Sequence, residues 1–267
     1  MRKGLLLSIT FLFLFLSTGL YAATRPMIDL LFCVDTTQGM KDEIKMLDRR
    51  VDEILRALRE GRPKPALSFS VVAYRDQGEE YVSRVLPLGD DEKELLAFIE
   101  ALEAEGGGGP EDLRSALSIS LEEIDWRSGT RIIVLLSDAA ANEESPIATT
   151  CSRLAAAAKK KGISILALSC AGMNLNGKAL WKRMAQLSDG MYAEIPPVKS
   201  RKMLLTSADC VSSSCASCSL PCDSRFSSTN TSTAKKQKVR SKSADEVFES
   251  TIVSYVKALA SKNGIAY

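Results

Sequence analysis

Met27-Ile28-Asp29-Leu30-Leu31-Phe32-Cys33-Val34-Asp35-Thr36-Thr37-Gln38-Gly39-Met40 is the stretch whose reading decides the fold. From Met27 to Val34 it is a near-continuous apolar run, the pattern of a strand buried on both faces of a sheet. Asp35 ends the run. Lys41 to Glu60 then carries Ile44, Leu47, Val51, Ile54 and Leu58 at helical spacing, and Gly61 stops it. A doubly buried strand, a polar turn and an amphipathic helix open an α/β unit.

The alternation continues outward from there. Leu67 to Tyr74 reads as a second strand, and Tyr81 to Leu88 as a shorter, more polar edge strand. Asp90 begins a helix with Leu95, Phe98, Ile99 and Leu102 on its apolar side, broken by Gly106 to Gly109. Pro110 opens the next helix, with Glu111 and Asp112 in its first turn. Arg131 to Ser137 is a strand, Ser145-Pro146 starts a helix that ends at Gly162, and Ile163 to Ser169 is another buried strand. Ala179 to Leu187 reads as helix and Met191 to Ile195 as the last strand. The pattern predicts one α/β domain over residues 27–200: a doubly wound, mostly parallel, Rossmann-like sheet with one antiparallel edge strand.

The flanks differ in kind. Arg2 and Lys3, the apolar run Leu5 to Leu16 and Leu20-Tyr21-Ala22 form a signal-peptide pattern over residues 1–22, with cleavage after Ala22. That places the chain in an exported compartment: periplasm, cell surface or outside. A membrane association is expected only if this segment is retained. Residues 201–222 are rich in Cys and Ser, 223–243 form a Ser/Thr/Lys stretch expected to be a disordered linker, and 244–267 predict a final helix bearing Phe248, Ile252, Val256 and Leu259.

Composition removes several functions. The 267 residues include no histidine, which excludes Ser-His-Asp and Cys-His catalytic sets and His-ligated zinc. Lys and Arg number 35 against 33 acids. Losing Arg2 and Lys3 balances the mature chain, so no overall charge points to nucleic acid. The glycine run lacks the Lys-Ser/Thr ending of a phosphate-binding loop. A non-enzymatic role is the expectation.

Three loops concentrate oxygen-bearing side chains. Asp35 and Thr37 follow the first strand, Gly106 to Asp112 lies between two helices, and Asp138 follows the strongest strand. The carboxyl ends of central strands meet at the crevice of an open α/β sheet, and oxygens gathered there suit a hard divalent cation. A plainer reading of each residue stays open at this point: Asp35 as a helix cap and Asp138 as a turn residue.

Phe32 to Met40, Ala73-Tyr74-Arg75-Asp76 with Tyr81-Val82, Glu105 to Leu117, and Trp126-Arg127 with Thr130 to Ala139 together resemble the von Willebrand factor A family. The resemblance spans Met27 to Ile195 and implies an adhesion module with a metal-ion-dependent site. By position it assigns Asp35, Thr37 and Asp138 to Mg²⁺ or Mn²⁺, with an acidic group of a protein partner completing the shell. The motif is degenerate. Gly39 stands where a second first-loop serine belongs, and Gly109 where the second loop often has Asp, so weak cation binding is expected. A metal-independent scaffold of the same fold is the alternative. A thiol-redox protein, resting on Cys215-Ala216-Ser217-Cys218, is a remoter one.

Seven cysteines in an exported chain favour disulfides. Cys151, early in a helix, and Cys170, at the end of the strand that helix leads into, are expected to pair. Cys33, mid-sheet, is expected to stay a buried thiol. Cys210, Cys215, Cys218 and Cys222 fit two disulfides or a zinc knot.

Overall fold

β1 (Met27–Asp35) is the third strand of a six-stranded sheet, between β2 (Ala66–Tyr74) and β4 (Thr130–Ser137). In the computed structural model, which describes residues 25–107, 112–127, 129–140, 145–198 and 242–267, the order is β3-β2-β1-β4-β5-β6. β5 (Ile163–Ser169) and β6 (Met191–Glu194) continue the parallel array. β3 (Ser83–Gly89) pairs antiparallel with β2 at the edge. This is the mostly parallel, doubly wound sheet that the alternating pattern predicts.

Alternation along each strand divides the apolar side chains between two cores. Ile28, Leu30, Phe32 and Val34 of β1 face one side, and Leu31 and Cys33 face the other. The first side is covered by α1 (Lys41–Leu58), α2 (Glu92–Glu100) and the C-terminal α6 (Ala244–Lys262). The second is covered by α3 (Leu113–Glu122), α4 (Pro146–Lys160) and α5 (Leu175–Leu187). α5 begins four residues earlier than its apolar pattern suggests. The Asn174 side chain accepts a hydrogen bond from Gly177 N and starts the helix there.

α6 is part of the domain's packing. Phe248, Ile252, Val256 and Ala260 are buried in the first core against α1. Arg49 donates from Nε and Nη2 to Asp245 at 3.0 and 3.1 Å, and Asn263 Nδ2 donates to Thr130 Oγ1 at 2.7 Å. The segments expected to be a signal peptide, a Cys-rich stretch and a linker lie outside the described residues, as do Gly109 and the four cysteines from Cys210 to Cys222. Among the described residues no helix is long and apolar enough to cross a membrane.

One expectation is overturned. Cys151 and Cys170 do not pair; with Cys33 they are free, buried thiols. The reason is strand parity. Ile163, Ile165 and Ala167 face the second core, while Leu166, Leu168 and Cys170 face the first. Cys151, on α4, lies in the second core, so the sheet stands between the two sulfurs.

Candidate functional site

β1 delivers Asp35 to the carboxyl edge of the sheet, fully buried, between the ends of β2 and β4. Thr37 donates to its Oδ1 from both N, at 2.9 Å, and Oγ1, at 2.8 Å. The Ser137 hydroxyl lies 2.7 Å from Oδ2. None of these is a helix cap. The 3-10 turn Gln38–Met40 and α1 behind it carry no side-chain cap bond at their starts. The capping reading of Asp35 therefore falls, and the carboxylate is instead the hub that folds the first loop back on itself.

The second loop is tied to the first by backbone. Glu105 N donates to Thr36 O at 3.1 Å, and Gln38 N donates to Gly106 O at 3.3 Å. Gly107, at φ +101°, brings the chain so close that a Cβ there would lie 3.5 Å from that of Thr37. The hairpin clamps the first loop from the other side. Thr36 Oγ1 is 2.7 Å from Tyr81 Oη, and the Tyr81 ring lies between the guanidinium groups of Arg75 and Arg84, each 4.2 Å from its centroid. Arg75, almost fully buried, donates from Nη2 to Glu103 O at 2.8 Å. Beside this junction a shallow cavity of about 310 Å³ opens, lined by Lys41, Lys45 and residues of the second loop.

Asp138 follows β4 and is half-buried. The turn after β4 is closed by Ser137, whose Oγ accepts from Ala139 N at 3.0 Å, so Asp138 is not needed for it. Its carboxylate leans across the first loop instead. A Cβ added to Gly39 would overlap Asp138 Oδ2. The space vacated by the missing serine is thus filled by a carboxylate oxygen, an oxygen donor of another kind.

The electrostatics follow from this crowding. Burial pushes Asp35 from 3.8 up to about 6, and the nearby Asp138 charge adds to the rise. Asp138 is raised by burial too. Glu43, buried in the first turn of α1, is raised first by burial and then by Asp138 and Asp42. Asp35, Asp138 and Glu43 have no Lys or Arg partner among the described residues. Among those residues no three acidic or thiol side chains meet closely enough to hold a metal by themselves. Two carboxylates and a threonine hydroxyl still suit a hard cation that keeps water in its shell. Thr37 donates its proton to Asp35, which leaves its oxygen lone pairs free.

Asp35, Thr37 and Asp138 are therefore brought together, while Gly109 lies outside the described residues. Glu43, Ser137 and the Thr36–Tyr81 link had not been expected from the sequence.

A profile of the von Willebrand factor A domain matches residues 29–204. The chain belongs to the von Willebrand factor A family. No curated protein matches it. Among solved structures, the von Willebrand factor A fold of this chain is similar to that of the pilus adhesin SpaC from Lactobacillus rhamnosus GG, at 11% identity and a TM-score of 0.51 over 64% of this chain and 28% of SpaC. It is also similar to proximal thread matrix protein 1 from the mussel byssus, at 15% identity and a TM-score of 0.49 over 63% of this chain and 42% of that protein. A third is the SpRpn10 VWA domain, at 16% identity and a TM-score of 0.48 over 66% of this chain and 91% of that domain. The chain thus spans under half the length of the adhesin and the matrix protein.

Proposed function

We propose that this von Willebrand factor A domain is a non-enzymatic protein-binding module that works on the far side of a membrane, exported by residues 1–22. Its binding edge is the carboxyl end of the sheet, and Asp35, Thr37 and Asp138 would hold Mg²⁺ or Mn²⁺ there. The observation that carries this reading is the Asp138 carboxylate lying in the space left by Gly39, near a buried Asp35 and with no basic counter-charge. Like charges held together out of water are costly unless a cation is shared between them. A bound divalent cation would supply an open position for a partner's carboxylate.

The chain's own residues do the rest. Thr37 and Ser137 fix both oxygens of Asp35, the second loop buttresses the first, and the Tyr81 clamp keeps Thr36 from moving. SpaC, a pilus adhesin by name, is a precedent for partner binding on this fold. One observation favours a metal-independent scaffold instead: three hydrogen bonds from neutral donors already satisfy Asp35. Capture of partner proteins by the immobilised chain, with Mg²⁺ and with chelator, separates the two. Loss of the captured proteins in chelator supports the cation-assisted reading, and unchanged capture supports the scaffold. A thiol-exchange role gains nothing from the described cysteines, which burial pushes up, Cys151 to about 11.

A further inference from the structure

The stretch that forms α4 and α5 is electrostatically unlike the part of the domain that precedes it. Between residues 146 and 190 the only acid is Asp189, against Arg153, Arg183 and five lysines. Asp189 is already engaged, accepting from Lys159 Nζ at 2.9 Å. A groove of about 270 Å³ runs between the two helices, with Thr149, Ser152, Arg153 and Ala156 on one wall and Arg183 and Leu187 on the other.

The polar groups of this groove are short of partners. Arg49, Arg50, Arg56, Arg59, Arg84 and Arg127 each meet a carboxylate, and Arg25 and Arg131 donate to backbone carbonyls. Arg153 makes one side-chain bond, from Nη2 to Thr150 Oγ1 at 3.2 Å, and Arg183 meets no carboxylate among the described residues. Several serines in or at the ends of helices satisfy themselves. Ser120, Ser188 and Ser261 donate to the carbonyl four residues back. Ser152 is only 8% exposed and makes no such bond; it lines the groove instead. Its hydroxyl is left free to donate to a group that enters the groove.

We propose that the α4–α5 groove is a second binding site, which takes an acidic polypeptide segment: a partner's Asp or Glu side chain enters between Arg153 and Arg183 and accepts from Ser152. The planar guanidinium fork matches a carboxylate in two-point geometry. Ala156 and Leu187 offer apolar contact to the methylene stem. The chain's own segment 199–241 is not the occupant. It carries eight Lys and Arg against Asp209 and Asp223, so the groove repels it. A flat anionic membrane is the wrong shape for a concave slot of this size.

The probe is a fluorescein-labelled poly-glutamate peptide, titrated into the full chain in chelator, where the cation site takes no part. Anisotropy should report saturable binding that weakens steeply with salt, as exposed charge pairs do. Arg153→Glu with Arg183→Glu should weaken it about tenfold or more, two charge-assisted bonds being lost. Ser152→Ala should cost a smaller factor, and Arg183→Lys should lie between wild type and the charge reversal. Both arginines are exposed, so an unchanged melting temperature is the folding control. If the charge-reversed protein fails that control, Arg183→Gln alone is read in its place. The proposal is overturned if wild type does not bind the peptide at low salt, or if the arginine variants bind as wild type does. It is overturned equally if phosphatidylglycerol vesicles, and not the peptide, take up the protein through Arg153 and Arg183. None of these results bears on the divalent-cation site, which is silent in chelator.

Discussion

Asp29 and Asp35 lie six residues apart on one strand, both almost wholly buried, and the protein treats them in opposite ways. Asp29, at the amino edge of the sheet, accepts from Arg127 N at 2.7 Å, Nε at 2.9 Å and Nη2 at 2.7 Å. Asp35, at the carboxyl edge, accepts only from neutral donors and feels the like charge of Asp138. A buried carboxylate held by three N–H groups of one arginine, two of them charged, is a closed structural device. One set against other carboxylates stays incomplete until something positive arrives. The comparison shows that burial alone does not mark a site; what marks it is the absence of a counter-charge.

Breaking the closed end should do the most harm. Asp29→Ala leaves the Arg127 guanidinium, two-thirds buried, without its partner, and should lower unfolding stability by about 3 kcal/mol in urea denaturation. Asp35→Asn should do the reverse in chelator at neutral pH. It removes a charge held against burial and keeps the side-chain shape, so the metal-free domain should melt at a higher temperature than wild type. A large loss of stability there would show that Asp35 is structural like Asp29.

The pH dependence sharpens the same contrast. Between 3.8 and about 6, folded Asp35 retains a proton that the unfolded chain has released. Stability of the metal-free domain should therefore fall as pH rises through that window, and saturating Mg²⁺ at pH 7 should restore part of it. Thermal melts at several pH values, with and without the ion, measure both. Replacement of Asp35 by Asn should flatten the profile.

The smallest effect expected is at Gly39. The sequence pattern suggests that a serine there would restore a lost ligand, but the space already holds Asp138 Oδ2. Gly39→Ser should push that carboxylate aside and weaken cation binding by a few-fold, where simple ligand counting forecasts tighter binding. Titration of the variant beside wild type decides between them.

Much of this was legible in the residues. Doubly apolar runs marked β1, β4 and β5, and the polar turns after β1 and β4 placed Asp35, Thr37 and Asp138 at one edge of the sheet. Parity along β5 also carried the information that Cys170 faces away from Cys151, although pairing by a shared edge of the sheet ignored it. Glu43 was hidden because it sits beside Ile44 in a first helical turn, where an acid ordinarily faces water. The Tyr81 clamp joins residues 45 apart and depends on side-chain stacking, which no spacing rule encodes. The role of Asp138 at Gly39 is a matter of free volume, visible only once both loops are in place.

The central claim is that the open edge accepts a divalent cation, and calorimetric titration of the protein with Mg²⁺ and Mn²⁺ at pH 7 tests it most directly. The account predicts saturable heat with a dissociation constant of about 10⁻⁴–10⁻³ M, as in low-affinity extracellular cation modules, and its loss in Asp35→Ala. No heat from wild type with either ion at millimolar concentration, or equal heat from Asp35→Ala, would contradict it.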